Sequence, residues 1–331
     1  MNSPNTKNTC GQHGGNLSWI ANHYPHAPTP LIDLSTCINP YFYTLPAPAP
    51  EWNHHLPDAA LMQTLHQAVA NHCHIGENNV VLASGMQPLM VALAARRLKQ
   101  YGVSNVAIVS PTYSEHEHVW NALGHICVPY KDGGHYDVVI ICNPNNPDGR
   151  VVAPEPLLQL AKHHSWLIVD ESFADLKPEA SMASSVQQHD NIVILRSCGK
   201  FFGVAGIRAS FALASESFIQ NIRTLLGPWP VSTAACHLLP IMLKDNLWAE
   251  NMRRRLHAEA DAWHMMLAQH FSIIGHTALF TLVETDRAEE RFMHLASQGI
   301  LVRRFDYNKR WLRIGLPDST YTNRLQKALL L

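Results

Sequence analysis

The sequence is short of charge. Only 15% of its 331 residues are Asp, Glu, Lys or Arg, and 25 basic residues stand against 26 acidic ones. No basic block occurs, which argues against nucleic acid or an anionic membrane as a main partner. Apolar runs stop at strand length, far below the roughly 20 residues of a membrane-spanning helix. Residues Met1 to Asn16 are polar and lack the apolar segment of a secretory signal. The seven cysteines have no paired spacing, so a reducing, cytoplasmic setting is expected rather than a disulfide framework. The 21 histidines include His54-His55, His72-Cys73-His74 and His163-His164, but none follows His-x-x-x-His spacing and no Cys-x-x-Cys accompanies them. No metal is expected.

What is present is a series of short apolar runs, each followed by a polar turn. Val80-Val81-Leu82-Ala83, Val106 to Val109, Asp137 to Ile141, Leu167 to Glu171 and Ile192 to Leu195 read as buried strands. Helical spacing begins after Asp58 and again at Pro88 to Tyr101. This alternation predicts a mostly parallel sheet with helices on both faces, whose carboxyl edge is the ligand side. The chemistry-bearing residues fall at that edge. Ser84-Gly85-Met86 forms a turn into a helix N-terminus, which suits an anion. Tyr113 follows a strand and presents a flat ring, or packs in the core. Asn143 to Gly149 is a proline-stiffened turn that aims an asparagine amide. Asp170 is a carboxylate at the end of a buried strand and needs a cation. Ser197-Cys198-Gly199-Lys200, with Arg208 eight residues on, places an amine at a strand mouth. Desolvation makes such an amine nucleophilic toward a carbonyl such as that of pyridoxal phosphate (PLP).

Elsewhere, His13-Gly14-Gly15-Asn16 reads as a flexible arm, and Leu31 to Ser35 as a short strand ending in Cys37-Ile38-Asn39-Pro40. The proline-rich stretch from Pro46 to Pro50 marks a boundary. Three segments are expected: an arm over 1–50 that contributes to a small domain and the substrate site, a large PLP-binding domain over 51–230, and a small domain over 231–331. In the last, Ile300 to Arg304 and Trp311 to Ile314 read as strands. Arg313 has apolar neighbours and suits bidentate carboxylate binding or an ordinary salt bridge.

Taken together, Asn-Pro-x-Asn-Pro-x-Gly, Asp-Glu-Ser-Phe, and Ser-x-Gly-Lys with Arg at plus eight make the chain resemble the fold-type I PLP enzymes of the aminotransferase superfamily. The resemblance covers essentially the whole length. It implies a seven-stranded, mostly parallel sheet sandwiched by helices, plus a smaller α+β domain, assembled as a homodimer. It also implies that Lys200 carries the cofactor and moves protons, Asp170 pairs with the pyridine nitrogen, Asn146 bonds the ring hydroxyl and Tyr113 stacks on the ring. Ser84, Gly85, Met86, Ser197 and Arg208 would hold the cofactor phosphate. Within the superfamily the chain most resembles the threonine-phosphate decarboxylases of cobalamin biosynthesis. The features that carry this are His13-Gly14-Gly15-Asn16, Asp33-Leu34-Ser35, Ile38-Asn39-Pro40, Lys200-Phe201-Phe202-Gly203, and Phe305-Asp306-Tyr307 with Trp311-Leu312-Arg313. That resemblance implies Arg303 on the substrate phosphate, Arg313 on its carboxylate, and His13, Asn39 and Asn146 lining the substrate end. A cobamide-assembly enzyme is a further partner it allows. The alternative is a histidinol-phosphate aminotransferase. Three positions depart from the aminotransferase pattern: Phe173 and Leu56 stand where relatives have tyrosine, and Gly199 stands where they have Ser or Thr.

Overall fold

The computed structural model describes residues 14–330. Side-chain caps start its first helices. Asn16 accepts from the Trp19 N–H at the head of α1 (Leu17–His23), and Asp58 from the Leu61 N–H ahead of α2 (Ala59–Cys73), with β1 (Ile32–Asp33) between them. Strands and helices then alternate: β2 (Val80–Ala83), α3 (Met86–Tyr101), β3 (Asn105–Ile108), α4 (Ser114–Ala122), β4 (Ile126–Pro129), β5 (Val138–Cys142), α5 (Pro154–Ala161), β6 (Trp166–Asp170), β7 (Ile192–Ser197), β8 (Ser210–Leu213) and α6 (Glu216–Leu226). After these come α7 (Thr233–Lys244), α8 (Asn246–Ala268), β9 (Ser272–Thr277), β10 (Phe280–Glu284), α9 (Ala288–Ser297), β11 (Ile300–Leu301), β12 (Arg303–Arg304), β13 (Trp311–Gly315) and α10 (Thr322–Leu329).

The chain divides into two compact units. The larger comprises Phe42–Asn146 and Arg150–Asn251. It holds a seven-stranded sheet ordered β2-β8-β7-β6-β5-β3-β4. Only β8 runs against the rest, antiparallel to both β2 and β7, so β2 is parallel to the other five. The central strands β5 and β6 are buried along their whole length, as expected where both faces are covered. Val106, Ile108, Val138, Ile140, Ile168, Val193 and Leu195 pack on one face against α3, α4 and α6. Elsewhere in this unit α2 packs on β2 and α5 on β6.

The smaller unit comprises the described residues through Tyr41, the tripeptide Pro147–Gly149, and Met252 onward. It contains the antiparallel sheet β12-β13-β10-β9 and the parallel pair β1-β11. The expected boundary at residue 230 therefore moves to Asn251, inside α8, because α7 buries its apolar side against α2 of the larger unit. The arm is also more ordered than its glycines suggested. Gly15 N–H donates to Ser35 Oγ at 2.8 Å, and a Cβ on Gly14 would stand 2.6 Å from the Ser35 carbonyl oxygen. Three strands are additional to those the sequence predicted. β4 lies at the sheet edge with Ile126 exposed, while β9 and β10 flank the Ala278-Leu279 turn, and β9 alternates exposed and half-buried residues around Gly275. The six described cysteines form no disulfide, and no described helix is long and apolar enough to cross a membrane.

Leu195 is fully buried on the packed sheet face, whereas Ile126 is 53% exposed. Leu195→Ala should therefore cost about 2–5 kcal/mol in urea unfolding, against about 0.5 or less for Ile126→Ala. In the smaller unit, burial and the adjacent His276 ring lower the His264 pKa to about 4. The folded state thus binds fewer protons than the unfolded chain, whose imidazole titrates near the ordinary 6.5. Its contribution to stability is complete above about pH 6.5 and is lost as pH falls toward 4. Denaturation midpoints measured across that window should fall, and His264→Leu should flatten the fall.

Candidate active site

The parallel strands, β2 included, end at one edge of the large sheet, and β8 begins there. The loops leaving that edge enclose a cavity of about 270 Å³. Its lining includes Gly85 and Met86 after β2, Tyr113 after β3, Asn146 after β5, Asp170 at the end of β6, Ser197 and Lys200 from β7, and Arg208 before β8. Six stretches spread over residues 85 to 208 thus meet because strand ends in a parallel sheet are neighbours.

Asp170 is 4% exposed. Its Oδ2 accepts from His116 Nε2 at 2.8 Å, and its Oδ1 accepts from the Ser172 N–H at 2.9 Å and from Ser172 Oγ at 2.5 Å. Burial alone would raise this carboxyl, but the His116 and Ser172 bonds outweigh it and hold Asp170 below the usual carboxylate range. Burial opposes protonation of His116 too, yet the Cys142 sulfur and the Asp170 carboxylate raise it to about 10. The floor of the cavity is therefore a carboxylate backed by an imidazolium. Among the described residues, His116, Cys142 and Asp170 form the one group with three possible metal-ligand atoms within 4.8 Å of one another.

Asn146 is aimed by its neighbours. Asn143 is fully buried; its amide donates to Val152 O at 2.8 Å and its Oδ1 accepts from the Val152 N–H at 2.9 Å. Asn145 donates to Pro111 O at 2.9 Å and accepts from Thr112 Oγ1 at 2.8 Å. The two preceding asparagines thus hold the turn, and Asn146 lines the cavity. Tyr113 lies edge-on to His116, with ring centroids 6.0 Å apart. Lys200 Nζ sits 5.9 Å from the centre of the Phe173 ring, which is 4% exposed.

The other end of the cavity is built for an anion. α3 starts without a side-chain cap, so its first N–H groups face the loop. Gly85 precedes it at φ +95°, and a Cβ there would collide with Arg208 Nη2. Arg208 itself adopts a left-handed backbone at φ 56°, a conformation kept only where surroundings impose it. Gly199 is also explained: a Cβ would stand 2.8 Å from the Ala205 Cα, so a hydroxyl-bearing residue does not fit.

Among described residues, Ser84 does not line the cavity. It is exposed, and its Oγ donates to Pro230 O at 2.9 Å. His13 lies outside the described residues. Asn39, Arg303 and Arg313 belong to the smaller unit. There Asn39 Oδ1 accepts from the Tyr41 N–H at 2.8 Å, and Arg313 Nη2 donates to Ser35 O at 2.7 Å. Arg303 and Arg313 are direct cross-strand partners between β12 and β13. The sequence reading missed His116 and Ser172. The signal for His116 was its spacing on α4, one turn before Val119 and Trp120 on the buried side.

A family model described as aminotransferase class I and II matches residues 49–329. The chain belongs to that family. Among relatives of known name, a threonine-phosphate decarboxylase from Sinorhizobium is 36% identical over 96% of this chain and 97% of its own length. One from Pseudomonas aeruginosa is 35% identical over the same shares. A histidinol-phosphate aminotransferase from Buchnera aphidicola is 30% identical over 57% of this chain and 55% of its own length. In structure, the histidinol-phosphate aminotransferase from Sinorhizobium meliloti in complex with pyridoxal-5'-phosphate aligns with a TM-score of 0.78 at 17% identity. That alignment covers 99% of this chain and 98% of the other, and shows the shared fold.

The cavity suits the family's cofactor: a buried carboxylate for a pyridinium, a glycine cradle and arginine for a phosphate, and an amine for an aldehyde. Gly85→Ala tests the cradle. It forces a side chain onto a positive φ and into Arg208, so cofactor binding should weaken roughly tenfold or more, read by equilibrium absorbance titration with PLP.

Proposed function

We propose that this enzyme decarboxylates L-threonine O-3-phosphate to (R)-1-aminopropan-2-yl phosphate, the aminopropanol linker precursor of cobalamin, as a cytoplasmic homodimer. The observation that carries the substrate class is the Arg303–Arg313 pair. As direct cross-strand partners they set two anion-binding guanidinium side chains on one face of the sheet. A substrate bearing both a phosphate and a carboxylate matches two guanidinium groups. The near full-length likeness to threonine-phosphate decarboxylases supports the same choice, and the histidinol-phosphate aminotransferases align over little more than half the chain.

When bound, PLP supplies an electron sink for the electron pair left on a substrate carbon that loses carbon dioxide or a proton. The protein residues do the rest. Lys200 is assigned attachment of the cofactor at Nζ and delivery of a proton from that atom. Asp170, kept anionic by His116 and Ser172, holds the proton on the ring nitrogen. Tyr113 would stack on the ring, and the Asn146 amide would bond its oxygen. Phe173 brings no hydroxyl there. The α3 N-terminus, Ser197 and Arg208 would hold the cofactor phosphate. Arg303 is assigned the substrate phosphate and Arg313 its carboxylate, and the resemblance alone assigns His13 and Asn39 to the substrate. Holding both anionic groups orients the substrate, and orientation selects which bond at Cα breaks.

Purified protein given PLP and threonine phosphate should release carbon dioxide with no keto acid present. Arg313→Lys should lower kcat/KM roughly tenfold or more through loss of the bidentate fork. Transamination of histidinol phosphate with 2-oxoglutarate, without carbon dioxide release from threonine phosphate, would reverse the assignment.

A further inference from the structure

Asp170 and Glu171 are adjacent in sequence and turn to different surroundings. Asp170 faces the cavity, while Glu171 is fully buried and meets Arg196, the residue of β7 just before Ser197. Arg196 Nη1 donates to Glu171 Oε2 at 3.0 Å. Glu171 is gripped from two further directions: its Oε1 accepts from the Met182 N–H and its Oε2 from Ser181 Oγ, each at 2.6 Å. Its own N–H donates to Leu195 O at 2.8 Å, so main chain and side chain both tie the end of β6 to β7. The other arm of Arg196 points elsewhere. Nη2 donates at 2.5 Å to Asp175 Oδ1, in the 174–176 turn, and His72 Nε2 lies 3.3 Å from that same oxygen.

A buried ion pair is a weak source of stability, because desolvating both charges offsets most of their attraction; an apolar pair of similar volume would hold two strands as well. What charge-assisted bonds add is direction, since they are short and narrow in angle. We propose that Glu171 and Arg196 are positioning residues, whose ion pair fixes the offset between Asp170 at the end of β6 and the Ser197–Lys200 turn that leaves β7. Each member is the immediate sequence neighbour of a residue lining the cavity, so a shift of either strand end moves the carboxylate relative to the amine. The Asp175 arm holds a turn beyond the sheet and does not set that offset.

The inference rests on Asp170 and Lys200 being the cofactor's partners, which Lys200→Ala tests separately by loss of the visible band of bound PLP. With that band established in the native holoenzyme, its pH midpoint reads the coupling between ring nitrogen, Asp170 and Lys200. Glu171→Gln should displace the midpoint by about one pH unit and weaken PLP binding about tenfold. Glu171→Asp, which restores the charge, should bring the midpoint more than half-way back. Asp175→Asn removes the other arm of the same arginine; it should lower the melting temperature comparably and leave the midpoint at its native value. Should Glu171→Gln fail to fold, Arg196→Lys keeps the charge, loses the fork, and is read the same way. A native midpoint in the folded variant, or an equal displacement in Asp175→Asn, would overturn the proposal.

Discussion

The site depends on keeping one carboxylate charged where water is nearly absent. Asp170 is 4% exposed, and burial alone would favour its neutral form. The 2.8 Å bond from His116 and the two bonds from Ser172 reverse that preference. His116 reaches it from α4 across the sheet face, Ser172 from the turn just beyond β6. The carboxylate therefore arrives with its acceptor sites largely filled and its charge directed at the cavity. A ring nitrogen placed there keeps its proton because the negative partner is already formed, with no reorganisation left to do.

The rest of the cavity follows the same economy of motion. Its anion end is made of a helix start, a glycine that clears the way and an arginine fixed in a left-handed backbone conformation. Its amide comes from a turn whose neighbouring asparagines are bonded into the protein on both sides. Phe173 beneath Lys200 gives an apolar wall where a tyrosine would add a polar bond. In the smaller unit, the Ser35 backbone serves twice. Its carbonyl accepts from Arg313 and lies against Gly14, so the arm and the arginine share one anchor.

The legibility of these features tracks their range along the chain. The strands β2, β3, β5, β6 and β7 were readable because each is a short apolar run flanked by turn residues, and a strand covered on both faces has little choice of composition. The edge strand β4 and strand β9 were not, since exposed or alternating residues near glycine and proline leave the same trace as a loop; β10, a buried Phe-Thr-Leu-Val run, carried a strand pattern that went unread. The domain boundary misled for a related reason. Gly227 to Pro230 is a genuine break between α6 and α7, but a break in secondary structure does not say which unit the next helix packs on. Ser84 sat in the right motif, yet its hydroxyl turned to Pro230.

By itself the sequence determined which side chains meet: an amine, an acid, an amide and an arginine, each near a strand end, in spacings that a parallel sheet brings to one edge. Local composition was enough because these residues sit at fixed offsets from strands that hydrophobicity defines. Only the tertiary structure decided their electrical state and aim. That His116 would protonate against Asp170, and that Glu171 would turn from the site to a buried arginine, depends on partners 54 and 25 residues away in sequence. Charge in a low-dielectric interior is governed by whatever lies within a few ångströms, and proximity of that kind exists only once the chain has folded.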